Sequence, residues 1–128
     1  MEEKRILFVE DSPTMRRIIE NSLKKLGVKE ITDAENGVDA LEKIQKQDFD
    51  MILTDWNMPE MNGKELVEHV RKIDKYKTIP ILMITTRGMQ EDVVTAIKTG
   101  VNGYIVKPFT PEILKKKMVE IFSASWGR

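Results

Sequence analysis

The sequence predicts an α/β fold, a doubly wound five-stranded parallel sheet with helices on both faces. Three observations point there. Short apolar runs alternate with longer amphipathic segments along all 128 residues. Four of the five runs are nearly all apolar, as strands covered on both sides require. The links are short, which in a parallel sheet implies right-handed crossovers.

The elements follow in order. Arg5 to Val9 (RILFV) reads as the first strand, and Pro13 to Leu26 as a helix with Ser12 at its cap and Pro13 at the first helical position. Gly27 then sits where the chain must reverse with positive φ. Glu30 to Asp33 (EITD) is too polar for the centre of a sheet and is assigned to an edge. Val38 to Gln47 repeats apolar residues at three-to-four spacing. Met51 to Thr54 (MILT) runs into Asp55, and Pro59 forbids a regular central strand beyond it. Gly63 to Lys72 is the third helix, Ile81 to Thr85 (ILMIT) the fourth strand and Gln90 to Thr99 the fourth helix, with Gly100 at its reversal. Gly103 to Val106 (GYIV) and Pro111 to Phe122, capped by Thr110, complete the set. One domain, with a core over about residues 4 to 123 and no separate output domain, is the expected organisation.

Bulk properties exclude several function classes. There are 21 basic and 21 acidic residues, so the chain has no net charge with which to attract nucleic acid or an anionic membrane. Cysteine is absent, which removes thiolate chemistry and suits a reducing, cytoplasmic setting. The longest uncharged run, Thr78 to Thr86, is nine residues and contains Pro80, too short for a membrane span. Binding must therefore come from a local site.

In an open α/β sheet, sites form beyond the carboxyl ends of the strands. The residues predicted there are Glu10 and Asp11 after the first strand, Asp55 after the third, Thr85 and Thr86 after the fourth, and Lys107 and Pro108 after the fifth. Crowded carboxylates either take up protons more readily or capture a hard cation. Oxygen ligands without histidine or cysteine select magnesium. A single acid after a strand is most often solvated loop; the whole set at consecutive strand ends argues for a site.

The stretches VEDSPTMRR, LTDWNMPEMNG, ITT and YIVKPF resemble the signature segments of response-regulator receiver domains, most closely the single-domain chemotaxis type. The similarity covers essentially the whole chain. It implies a flavodoxin-like (βα)5 fold with strand order 2-1-3-4-5, an order taken from the resemblance and not from the pattern. It further implies that Asp55 is the phosphoacceptor for a histidine kinase of the chemotaxis type. Magnesium would be held by Asp11, by Glu10 through water, by Asp55 and by the backbone carbonyl of Asn57. Lys107 would hold a phosphoryl oxygen, and the Lys107–Pro108 bond would be cis. Thr85 and Tyr104 would form the switch, and Val93, Tyr104 and Lys117 would contribute to a face that binds the flagellar motor switch protein. A phosphatase is left open as a further partner; a monomer is expected, with no nucleic acid or membrane partner. The other output the resemblance allows is a phosphorelay, passing phosphate to a histidine phosphotransfer protein without direct motor output.

Two departures from the family pattern stand out. Glu10 replaces the aspartate often found first in the acidic pair. Arg87 stands where chemotaxis members carry an acid, and a guanidinium there is expected to attract anionic phosphodonors or shield the aspartyl phosphate. Other residues call for less. His69 reads as a surface histidine and Trp56 as a neighbour of Asp55 that points away from it. Met51, Met83 and Met118 read as core filling, and Lys115 to Lys117 as a solvated face near the end of the last helix. The rival readings fare worse. A phosphatase of the haloacid dehalogenase type needs a second aspartate two positions after the nucleophile, where this chain has Asn57. A flavin carrier would need a neutral or basic loop where Glu10, Asp11 and Ser12 stand. A receiver-like module that takes no phosphate conflicts with the full set of Asp11, Asp55, Thr85 and Lys107.

Overall fold

The computed structural model describes residues 3–56, 58, 61–86 and 90–126. Strands β1 (Arg5–Val9), β2 (Glu30–Ala34), β3 (Met51–Asp55), β4 (Ile81–Thr85) and β5 (Gly103–Val106) alternate with helices α1 (Pro13–Lys25), α2 (Gly37–Lys46), α3 (Gly63–Arg71), α4 (Gln90–Thr99) and α5 (Pro111–Trp126). All pairings are parallel, and the sheet order is β2-β1-β3-β4-β5. The flavodoxin-like order holds. It matters for function because the chain winds one way from β1 to β2 and the other way from β3 onward. The crevice therefore opens between the carboxyl ends of β1 and β3.

Alternation along the strands sorts the side chains into two cores. Leu7 and Val9 of β1, Ile52 of β3 and Ile81 and Met83 of β4 pack with Ala40 and Ile44 of α2, Leu66, Val67 and Val70 of α3 and Ala96 of α4. On the other face Ile6, Phe8, Leu53, Leu82, Ile84 and Ile105 meet Ile19 and Leu23 of α1 and Leu114, Met118 and Ile121 of α5. Each sheet face is thus dry, and each strand-end residue is aimed by the register below it.

The expected caps are present. Ser12 Oγ accepts from the Met15 N–H at 3.2 Å and Thr110 Oγ1 from the Ile113 N–H at 3.2 Å, satisfying donors that the first helical turn leaves unpaired. Asn36 and Asn62 cap α2 and α3 in the same way, accepting from Asp39 and Glu65. Gly27 and Gly100 have φ of 88° and 124°, which removes any steric cost of the reversal. The Lys107–Pro108 bond is cis.

As the strand order implied by the resemblance requires, β5 is the second sheet edge, and only Ile105 of its four residues is buried. Two expectations change. Helix α5 runs four residues beyond Phe122, to Trp126, because nothing in Ser123 to Trp126 breaks a helix. Lys115 to Lys117 consequently lie in mid-helix. An unforeseen 3-10 turn, Asp74–Tyr76, joins α3 to β4. Its Tyr76 hydroxyl donates to the Gln47 carbonyl at 3.2 Å and accepts from the Phe49 N–H at 3.3 Å.

Candidate functional site

The crevice gathers three acids and an ammonium. One oxygen each from Glu10, Asp11 and Asp55 lies within 4.8 Å of the others. Glu10 and Asp55 are buried, at 1% and 8% exposure, whereas Asp11 faces solvent. A cation could thus be gripped from below by two dry carboxylates and from above by a wet one. Glu10 extends β1 by one residue, its N–H bonded to the Ala34 carbonyl at 2.9 Å, and Asp55 is the last residue of β3. Because β1 and β3 are neighbours, their ends place the two acids side by side.

Both buried carboxylates are oriented by backbone. Asp55 Oδ1 accepts from the Trp56 N–H at 2.8 Å. Glu10 Oε2 accepts from the Ser12 N–H at 3.1 Å. The end of β3 is further fixed by Thr54 Oγ1 donating to the Asp55 carbonyl at 2.9 Å, and by the Gly63 N–H donating to the Trp56 carbonyl at 2.9 Å.

Lys107, in the link from β5 to α5, reaches both buried acids. Its Nζ donates to Glu10 Oε1 at 2.5 Å and stands 3.6 Å from Asp55 Oδ2. Its side chain is 8% exposed, so this is a buried charge cluster. Burial pushes the Glu10 carboxyl above its ordinary pKa. The Lys107 ammonium and the Ser12 N–H pull it back, and the Asp55 charge adds to the rise. Three clustered acids, two of them buried and all oxygen donors, fit a hard divalent cation.

Thr85 is fully buried at the end of β4. Its carbonyl accepts from the Lys107 N–H at 2.7 Å, which ties the lysine link to β4. Met83 pairs with Tyr104 and Thr85 with Val106, so Thr85 and Tyr104 are diagonal neighbours across β4 and β5. Tyr104 is half-buried against the core under α2, α3 and α4. Lys117 reaches round the sheet edge from α5, its Nζ 5.9 Å from the Tyr104 ring centroid, and also pairs with Glu120 at 3.9 Å. Val93 is half-buried on α4.

Asn57 and Arg87 lie outside the described residues. His69 is exposed, as a surface histidine should be. Met51, Met83 and Met118 are all fully buried. Trp56 is 7% exposed and packs into the core under α2 to α4.

Residues that sequence reasoning passed over also bear on the site. Arg16 bonds the backbone of Glu10 and Asp11. Val94 and Ile97 of α4 and Val106 of β5 leave apolar surface exposed, Ile97 at 57%. No periodic signal marks them, because exposure of one side of an amphipathic helix depends on what packs beside it.

Comparison with known proteins agrees with this geometry. Residues 6–119 match the response regulator receiver domain. The chemotaxis protein CheY1 of Helicobacter pylori is 55% identical over 115 residues, covering 89% of this chain and 93% of that protein. Among solved structures, the Vibrio cholerae chemotaxis protein CheY4 superposes with a TM-score of 0.88 at 40% identity, over 92% of this chain and 98% of that one. The receiver domain of a Pseudomonas aeruginosa sensor histidine kinase, which has a magnesium ion coordinated in its active-site cleft, superposes with a TM-score of 0.86 at 28% identity, over 94% and 98%. With its acidic crevice at the switch point of a five-stranded sheet and these relatives along nearly its whole length, the chain belongs to the response regulator receiver domain family, as a CheY-like chemotaxis regulator.

Proposed function

We propose that the chain is a magnesium-dependent phosphoacceptor switch that works in the cytoplasm, phosphorylated on Asp55 by a chemotaxis-type histidine kinase and read out by the flagellar motor switch protein. The observation that carries this reading is the convergence of Glu10, Asp11 and Asp55 within 4.8 Å, with the Lys107 ammonium 3.6 Å from Asp55.

The Trp56 N–H holds Asp55 Oδ1 in place, which points the carboxylate for attack on the phosphorus of a phosphohistidine. The phosphorus–nitrogen bond breaks, its electron pair stays on the imidazole nitrogen, and an acyl phosphate forms on Asp55. Water later returns the carboxylate and releases inorganic phosphate. Glu10, Asp11, Asp55 and the carbonyl of Asn57 would hold magnesium, whose charge offsets that of the transferring phosphoryl oxygens. Lys107 is poised between Glu10 and Asp55, so a modest turn of its ammonium brings it to a phosphoryl oxygen on Asp55. Thr85 would donate its hydroxyl to the new group, and Tyr104 would repack in response, shifting the balance between two states of the α4, β5 and α5 face. Val93, Tyr104 and Lys117 belong to that face, which would carry the partner.

A phosphorelay output is less well supported, because the similar proteins from Helicobacter pylori and Vibrio cholerae are chemotaxis proteins. The test is intact-protein mass spectrometry after incubation with acetyl phosphate and magnesium. Wild type should gain one phosphoryl group and Asp55→Asn none; equal gain in both would refute Asp55 as acceptor. Thr85→Ala should still gain the mass yet show no phosphorylation-dependent binding of a motor-switch peptide, and normal activation of binding would remove Thr85 from the switch.

A further inference from the structure

Arg16 lies one turn into α1, its N–H making the first helical hydrogen bond to the Ser12 carbonyl at 2.8 Å. Its side chain folds back toward the helix start, the direction helical side chains favour. There Nη1 donates to the carbonyl oxygens of Glu10 at 3.0 Å and Asp11 at 3.1 Å. Nε faces Asp33 Oδ2 of β2 at 3.6 Å, and the side chain is 23% exposed. One guanidinium therefore ties the end of β2, the β1–α1 link and α1 together.

The consequence follows from the planarity of the peptide bond. In a trans peptide the C=O and the next N–H point in opposite directions. With the Asp11 carbonyl drawn to Arg16, the Ser12 N–H is turned the other way, and it is this N–H that bonds Glu10 Oε2. The Glu10 carbonyl is held by the same nitrogen, so neither peptide is free to rotate.

We propose that Arg16 is a positioning residue for the acidic crevice: by holding two carbonyls it sets the Ser12 N–H that orients Glu10, and so raises affinity for a divalent cation although it is itself a cation. This rests on the magnesium reading above. Charge and positioning predict opposite signs. As a point charge near the site, Arg16 would repel a dication, and its removal would tighten binding. As an outer support for the ligands, its removal would weaken binding about tenfold or more.

The experiment is thermal denaturation of the full chain across a magnesium chloride series, without phosphodonor, in 0.1 M and 0.5 M potassium chloride. The melting temperature at zero magnesium reports structural cost, and the concentration dependence reports the dissociation constant. Wild type should be stabilised by magnesium. Arg16→Ala should need about tenfold more magnesium for the same rise, by a similar ratio at both salts, since positioning is not screened. Arg16→Gln, which lacks the charge but retains a donor, should fall between and covers the case of an unstable alanine variant. Unchanged or tighter magnesium binding in both variants, whatever their melting temperature at zero metal, overturns the proposal. No magnesium stabilisation of wild type overturns the magnesium reading itself, and the proposal with it.

Discussion

Asp50 and Glu10 are two carboxylates whose pKa values move in opposite directions. Burial alone would raise Asp50, but the Arg5 N–H at 2.8 Å and the Arg5 Nε at 3.3 Å outweigh it and hold the carboxyl below its ordinary value. A depressed carboxylate contributes stability that is present above its unfolded pKa of about 4 and is lost as pH falls through the folded value. With Asp50 30% exposed, solvent screening trims the effect. Asp50→Asn should therefore lose about 1 kcal/mol at pH 7, and its deficit against wild type should shrink below about pH 4. Urea denaturation at pH 7 and pH 3 measures both, and an equal deficit at the two pH values would contradict the linkage. Glu10 has the reverse sign: its raised pKa means its charge opposes folding increasingly as pH rises through the folded value.

At the scale of elements, the join between β3 and α3 decides where Asp55 sits. Gly63 opens α3 directly against the end of β3, and a Cβ there would stand 2.5 Å from the Asp55 carbonyl oxygen and 2.9 Å from the Trp56 Cα. Both obstacles are backbone, so the cost cannot be relieved by a rotamer change. Gly63→Ala should destabilise the protein by about 1–3 kcal/mol, the usual range for overpacking, and slow phosphorylation by acetyl phosphate as Asp55 is displaced. Chemical denaturation together with phosphorylation kinetics checks this; wild-type values for both would show that α3 shifts freely. At the opposite end of the sheet, Arg71 of α3 holds the Tyr76, Ile79 and Gly100 carbonyls and Asn102 Oδ1. Burial lowers its pKa, and partial negative charge at the carboxyl end of α4 helps to offset that. Asn102 Oδ1 also accepts from the Ile81 N–H at 2.8 Å, so one residue pair links α3, α4, β4 and the approach to β5.

Across the whole molecule, stability should be graded from the sheet centre outward. Strands β1, β3 and β4 pair on both sides, and nearly every residue in them is buried. Edge strands β2 and β5 have one fully buried residue each. Amide hydrogen exchange should be slowest in Ile6–Val9, Ile52–Asp55 and Ile81–Thr85, and faster in β2 and β5 through local opening. Mass spectrometry of exchanged peptides would detect this, and protection of β5 equal to that of β3 would contradict it. The grading bears on the proposed switch: Asp55 ends a central strand, whereas Tyr104 stands on an edge strand, which can repack at lower cost. That proposal requires a firm acceptor beside a pliable reader.

Much of this was legible in the chain itself. Apolar runs and helical spacing determined the five βα units, since burial on two faces leaves an unbroken apolar imprint and capping side chains mark helix starts. The residues following the strands likewise announced an oxygen-donor site, because acids at strand ends have no packing role. Tertiary structure alone decided the rest. The 3-10 turn at Asp74–Tyr76 and the extension of α5 to Trp126 depend on what packs around them, and no apolar run announces either. The folding back of Arg16 onto the Glu10 and Asp11 carbonyls, and the reach of Lys107 to Glu10 as well as Asp55, arise from distances between elements far apart in sequence. A string of residues carries side-chain chemistry, but the direction of a carbonyl is set only when the surrounding elements have packed.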